Sequence, residues 1–279
     1  MSELVRVPPI GEARDRELLK HAVTYAYRET TTTPLHAHFF FPADFRQDDQ
    51  RPLAIFFHGG FWDTPMCTQF APHCNHLTAR GAIAVAAETR LASTHHTGPV
   101  EAIDDARALL TWVTMHAAAL GIDPLRIIVG GTAGGALLAL STAMFPDRTN
   151  PPACHPPAAL VLFSPLVDTT PPNPCAKRFP DPKSAKTHSP NKLIRKGLPP
   201  SIIFHGKADR VIPFDPVCKF ARKMKRKRNQ CEFVDFEKAD HAFFNFNVSE
   251  QNFELTMRAA DRFLVDLGLL EPGEDDGLS

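Results

Sequence analysis

The sequence predicts an α/β fold, with a mostly parallel central sheet covered by helices on both faces. Three observations carry this. Short apolar runs rich in β-branched and aromatic residues recur along the 279-residue chain. Segments with apolar residues at helical spacing separate them, so strand and helix signals alternate. Glycines such as Gly81 and Gly121 stand where helical segments stop.

The elements follow in order. "LHAHFFF" (35–41) and "LAIFFH" (53–58) are short and aromatic or β-branched, and read as strands. Residues 67–80 are helical and end at Gly81, and "AIAVAAE" (82–88) is a buried strand. Ala102, Ala106, Leu109, Leu110 and Val113 set a helix over 99–120, which Gly121 ends. "RIIVG" (126–130) is a strand and 133–145 a helix; "AALVLFS" (158–164) and "SIIFH" (201–205) are strands. A helix over 215–228, the strand "CEFVDF" (231–236) and a helix over 249–267 complete the chain. We expect one domain over 1–279, with an N-terminal extension (1–30), a Pro-rich lid-like insertion (168–198) and a flexible tail (271–279).

Composition excludes several function classes. Lys and Arg total 31 and Asp and Glu total 31, so no global field draws the protein to nucleic acid or an anionic membrane. The basic run "KFARKMKRKRN" (219–229) carries an apolar stripe of Phe220, Ala221 and Met224 and reads as a solvated amphipathic helix. No apolar stretch is long enough to span a membrane, and the first residues have neither the apolar core nor the cleavage site of a secretory signal. The expected location is cytoplasmic. Six cysteines stand without a C-x-x-C pair and read as free thiols. His36 and His38 share a strand face and His73 and His76 a helix, yet neither pair has a third metal ligand nearby in sequence, so no metal is expected. No cofactor is called for.

In parallel sheets, ligands bind beyond the carboxyl ends of the strands. Reactive residues follow four strands directly. His58-Gly59-Gly60-Phe61-Trp62 comes first, then Gly130-Gly131-Thr132-Ala133-Gly134-Gly135. "HGKADRVIP" then carries Asp209, and "EKADHAFF" carries His241. The chain order is hydroxyl, Asp, His. That order suits nucleophilic acyl transfer: His241 accepts the Thr132 proton during attack and returns it to the leaving group, while Asp209 fixes the imidazole tautomer.

Together these motifs resemble the α/β-hydrolase superfamily over nearly the whole chain, above all the hormone-sensitive-lipase-like and the feruloyl- and acetyl-xylan-esterase-like carboxylesterases. The resemblance implies an α/β-hydrolase fold and a carboxylesterase acting on small acyl esters. It implies Thr132, Asp209 and His241 as catalytic residues, and backbone N–H groups of Gly60, Phe61 and Ala133 as the oxyanion hole. Trp62, Phe243 and Phe244, together with Phe61, flank this site and either line the substrate pocket or fill the core. Arg90 and Asp105 fall where the family pairs an arginine with a helix acid, and a structural ion pair is expected. His58 is expected to be a buried orienting histidine.

Thr132 departs from the family, which carries serine. A β-branched residue fits poorly at the positive φ of a nucleophile elbow. Three readings stand: a slow but real nucleophile, a silent relative that binds ligand, or a substituted enzyme. A peptidase of the prolyl-oligopeptidase type has a similar catalytic domain but adds a propeller, for which 279 residues leave no room. The partner implied is a small ester, with a homodimer open.

Overall fold

The computed structural model describes residues 13–145 and 155–273. Eight strands form one sheet: β1 (Val23–Arg28), β2 (Leu35–Phe40), β3 (Arg51–Phe57), β4 (Ile83–Ala87), β5 (Ile122–Thr132), β6 (Ala159–Pro165), β7 (Ser201–Gly206) and β8 (Cys231–Phe236). Their spatial order is β1-β2-β4-β3-β5-β6-β7-β8. β1 and β2 run antiparallel at one edge, and every pair from β4 through β8 is parallel. The helices are α1 (Ala13–Leu18), α2 (Ala71–Ala79), α3 (Ala92–His95), α4 (Pro99–His116), α5 (Ala133–Met144), α6 (Pro182–Thr187), α7 (Phe214–Arg226) and α8 (Glu250–Asp266).

Strand alternation divides the core into two layers. On β3, Leu53, Ile55 and Phe57 face a cluster completed by α4, α5 and α7, while Ala54 and Phe56 face one completed by α2 and α8. This is why β3 to β7 read as continuous apolar runs: both faces are covered. Helix α5 is buried along nearly all its length, as its composition of Ala, Gly and Leu permits. Helix α7 buries Val217, Phe220, Ala221 and Met224 and leaves Lys219, Arg222, Lys225 and Arg226 exposed. No helix among the described residues is long and apolar enough to cross a membrane.

Two sequence expectations change here. The 1–30 segment is not all extension, because Val23–Arg28 is the edge strand of the sheet, paired to β2. Its first 12 residues lie outside the described residues, as do residues 274–279 of the expected tail. The Pro-rich 168–198 segment, expected as a lid-like insertion, carries regular structure. It holds α6 and two 3-10 turns, Pro174–Arg178 and Pro190–Lys192, each with a proline in its first turn. Thr169 closes the segment on itself by donating to the Ala185 carbonyl at 2.6 Å.

Candidate active site

The loops after β3, β5, β6, β7 and β8 converge at the carboxyl edge of the sheet. Strand β5 delivers the Gly-rich turn there, and two glycines make the turn possible. A Cβ on Gly131 would stand 2.5 Å from the Phe57 carbonyl oxygen, and one on Gly135 would stand 2.2 Å from it. Only glycine fits at either place. Between them, Ala133 adopts φ 50° and opens α5. That is the sharp strand-to-helix elbow on which an α/β-hydrolase presents its nucleophile.

This corrects the sequence reading of Thr132. Thr132 is the last residue of β5, in extended geometry at φ −128° and ψ 150°. A β-branched residue belongs there. Its hydroxyl is buried without a hydrogen-bond partner and makes no bond to His241. The Gly-x-nucleophile-x-Gly frame is therefore Gly131-Thr132-Ala133-Gly134-Gly135, one residue later than the frame set by the hydroxyl. An alanine stands at the nucleophile's position. The residue after the elbow, where the fold family draws an oxyanion donor, is then Gly134 rather than Ala133.

The facing loop is equally constrained. Gly60, Phe61 and Trp62 have φ of 89°, 49° and 62°, three consecutive left-handed residues. A Cβ on Gly134 would lie 3.2 Å from Phe61 Cα and 3.1 Å from Trp62 Cε2, so the loop and the α5 N-terminus touch. The loop is held from below. His58 is buried, and its Nδ1–H donates to the Gly59 carbonyl at 2.7 Å, the structural role expected of it. Burial lowers its pKa, partly offset by that bond, which keeps the ring neutral. The Gly59 N–H donates to Gln69 Oε1 at 2.8 Å, and Gln69 Nε2 donates to Asn245 Oδ1 at 3.2 Å. Trp62 is buried with its indole N–H unpartnered.

Asp209 and His241 come together from the ends of β7 and β8. His241 Nδ1 lies 2.8 Å from Asp209 Oδ2. The N–H groups of Val211 and Ile212 both donate to Asp209 Oδ1 at 2.8 Å. Burial pushes this carboxyl up, but the His241 contact and the two backbone donors outweigh it, and its pKa falls below the ordinary value. A carboxylate held ionised against Nδ1–H leaves Nε2 with its lone pair. The His241 backbone is set by Ser164, which donates to its carbonyl at 3.2 Å and sits at φ 41° just after Phe163. Ala133 bridges to Pro165 and its carbonyl accepts the Leu166 N–H at 3.2 Å, so the turn after β6 links the elbow to the histidine loop.

A groove of about 220 Å³ opens beside these residues, lined in part by Leu166, Val167, Asp168, Ile212 and Pro213. A larger one, about 320 Å³, is lined in part by Arg28, Arg90, His95 and Thr97 and shares no residue with the pair. Phe243 and Phe244 line neither groove. Phe244 lies 4.6 Å from Phe163 and Phe243 lies 4.6 Å from Phe236, centroid to centroid, inside the core layer under α2 and α8. Arg90 pairs with buried Asp105 at 2.8 Å, and Arg28 adds a second contact at 2.9 Å. Five of the six cysteines are free thiols, and Cys154 lies outside the described residues.

Sequence reasoning missed Gln69, Asn245 and Ser164. Gln69 reaches Gly59 across ten positions and Asn245 across 176, with no local motif to mark either.

The chain is similar to known esterases. The alpha/beta hydrolase fold family matches residues 54–195, and the dienelactone hydrolase family matches residues 171–265. The carboxylesterase NlhH of Mycobacterium tuberculosis is 38% identical over 107 residues, 37% of this chain. The match spans only 33% of that enzyme's length. A thermophilic esterase of Thermogutta terrifontis, Est2, superposes with a TM-score of 0.86 at 35% identity, over 92% of this chain and 96% of its own. The propionate-bound form of Est2 superposes at 0.85 with 36% identity, over 91% and 97%. This protein belongs to the carboxylesterase family of the α/β-hydrolase fold.

Proposed function

We propose that this protein hydrolyses small acyl esters with water in place of a side-chain nucleophile. The observation that carries the reading is the Asp209–His241 pair, 2.8 Å apart, kept beside an elbow that presents Ala133. His241 Nε2 takes a proton from water, and the hydroxide attacks the ester carbonyl carbon. The negative charge that develops on the carbonyl oxygen meets backbone N–H groups of Gly60, Phe61 and Gly134, aided by the N-terminus of α5. Collapse expels the alcohol, which takes its proton from His241. The products are a carboxylic acid and an alcohol. Propionate bound in the related Est2 supports a short acyl chain.

The rate follows from what is missing. In serine hydrolases, loss of the nucleophile costs about 10⁶-fold in kcat, and about 10³–10⁴ over the uncatalysed reaction remains from the rest of the site. Slow turnover is expected. Ala133 also favours a second reading, in which the site binds an ester or its acid product without turnover.

Hydrolysis of p-nitrophenyl acetate by the native chain, Ala133→Ser and His241→Ala tests both. We expect slow native turnover that is lost in His241→Ala, and a gain of several orders of magnitude in Ala133→Ser. Native turnover equal to that of His241→Ala leaves only the binding reading. An inert Ala133→Ser variant that folds normally removes both the mechanism and its frame.

A further inference from the structure

Outside the proposed active site, three segments distant in sequence bring metal-ligating side chains together. His38 on β2, Glu88 just after β4 and Cys67, the first residue of a 3-10 turn (Cys67–Phe70), place Nε2, a carboxylate oxygen and Sγ all within 4.8 Å of one another. His38 is buried, while Cys67 and Glu88 are partly open, so an ion can enter. We propose that His38, Cys67 and Glu88 form a zinc site, with a water or another small ligand at the fourth position.

Three features separate this cluster from an ordinary hydrogen-bonded group. First, His38 Nε2 and Glu88 Oε1 are 3.4 Å apart. That is long for a charge-assisted hydrogen bond, but two ligands at about 2.0–2.1 Å from a tetrahedral ion stand roughly 3.3–3.4 Å apart. Secondly, each ligand has a partner that orients it. Thr24 Oγ1 lies 2.9 Å from His38 Nδ1, so Nδ1–H can donate to the hydroxyl and leave the Nε2 lone pair directed at the cluster. On Glu88, the other oxygen accepts the His36 backbone N–H at 3.0 Å and the His36 Nδ1–H at 3.1 Å. Such outer contacts fix ring and carboxylate orientation in built metal sites. Thirdly, the donor set of imidazole, thiolate and carboxylate suits zinc and disfavours magnesium or calcium, which prefer oxygen alone.

A thiol with the ordinary value of about 8.5 carries its proton at neutral pH. Zinc binding forms Zn–S, Zn–N and Zn–O bonds and releases the thiol proton to solvent, with no change in oxidation state. The ion would tie the neighbouring strands β2 and β4 to the turn whose Gln69 holds Gly59. That makes it a support for the oxyanion loop rather than a catalytic centre.

The test uses the full chain, stripped with a chelator and titrated with Zn²⁺ by calorimetry and with Co²⁺ by absorption. We expect one ion per chain, release of a proton on binding, a thiolate-to-cobalt charge-transfer band, and a melting temperature that rises with free Zn²⁺. Cys67→Ser should abolish the band and weaken zinc at least about tenfold, and Glu88→Gln should weaken zinc with the band retained. Lack of zinc uptake by the native chain overturns the site. So does a cobalt complex without the thiolate band, or zinc affinity unchanged in Cys67→Ser; both are read on folded protein.

Discussion

His73 on α2 is fully buried, and neither ring nitrogen has a hydrogen-bond partner. Phe70, Phe253, Phe163, Phe244 and Phe56 surround it at centroid distances of 4.8 to 6.1 Å. Each unpaired buried polar atom costs about 1–3 kcal/mol. An edge-to-face aromatic pair returns about 0.5–1.5 kcal/mol. Replacing His73 with leucine, apolar and of similar volume, should therefore stabilise the protein by about 1–3 kcal/mol at pH 7. The gain should grow in acid. Burial holds His73 at about 3, against an ordinary value of 6.5. The unfolded chain takes up this proton below about 6.5 and the folded chain only near 3, so stability falls as the pH drops through that window. The loss is about 1.4 kcal/mol per pH unit. At pH 5 the leucine variant should lead by about 3–5 kcal/mol. Urea unfolding followed by tryptophan fluorescence at pH 7 and pH 5 measures both numbers. A lead that does not change between the two pH values, or a less stable variant at pH 7, refutes the reasoning.

The remaining predictions concern the elbow and its surroundings. Gly135→Ala puts a Cβ 2.2 Å from the Phe57 carbonyl oxygen and 2.3 Å from that of His58. It should cost more than about 3 kcal/mol and reduce soluble yield sharply, whereas Gly268→Ala, at φ 69° with nothing within 4 Å, should cost only about 1–2 kcal/mol by thermal melting. Asp105→Asn leaves Arg28 and Arg90 facing a neutral group at a site where the Asp105 side chain is wholly buried, and chemical denaturation should register a loss of about 3–5 kcal/mol. In the Ala133→Ser background, Asp209→Asn should lower kcat for p-nitrophenyl acetate by about 10⁴-fold with the melting temperature little changed; a loss under tenfold would remove Asp209 from its orienting role.

Periodicity made most strands and helices legible, because β3 to β7 are buried on both faces and α4 and α7 show their stripes plainly. β1 was hidden by its place: Tyr25 and Tyr27 alternate correctly, but a six-residue edge strand that ends in the charged Arg28 gives little signal. The motif loops were legible as strand-end positions for Asp209 and His241. The elbow was not. Gly130, Gly131, Gly134 and Gly135 satisfy two overlapping Gly-x-x-x-Gly frames, and the lone hydroxyl of Thr132 favours the wrong one. Backbone dihedrals decide between them, and a string of residue types does not contain those. The cluster of His38, Cys67 and Glu88 was invisible for another reason. A search for ligands at close spacing finds the pairs His36 and His38 and His73 and His76, whereas the fold brings Cys67 to His38 from 29 positions away and Glu88 from 50.

The Ala133 elbow has a consequence for how such a protein can change. Its left-handed turn is imposed by the close packing of Gly131 and Gly135 against β3, not by anything a hydroxyl does. Alanine and serine differ there by one oxygen atom, and four of the serine codons become alanine codons by a single base change. The corner of the fold is thus indifferent to which residue it carries. One mutational step therefore exchanges alanine and serine at this position and leaves the turn in place. The scaffold's persistence and its catalytic power are separable traits, open to drift or selection one at a time.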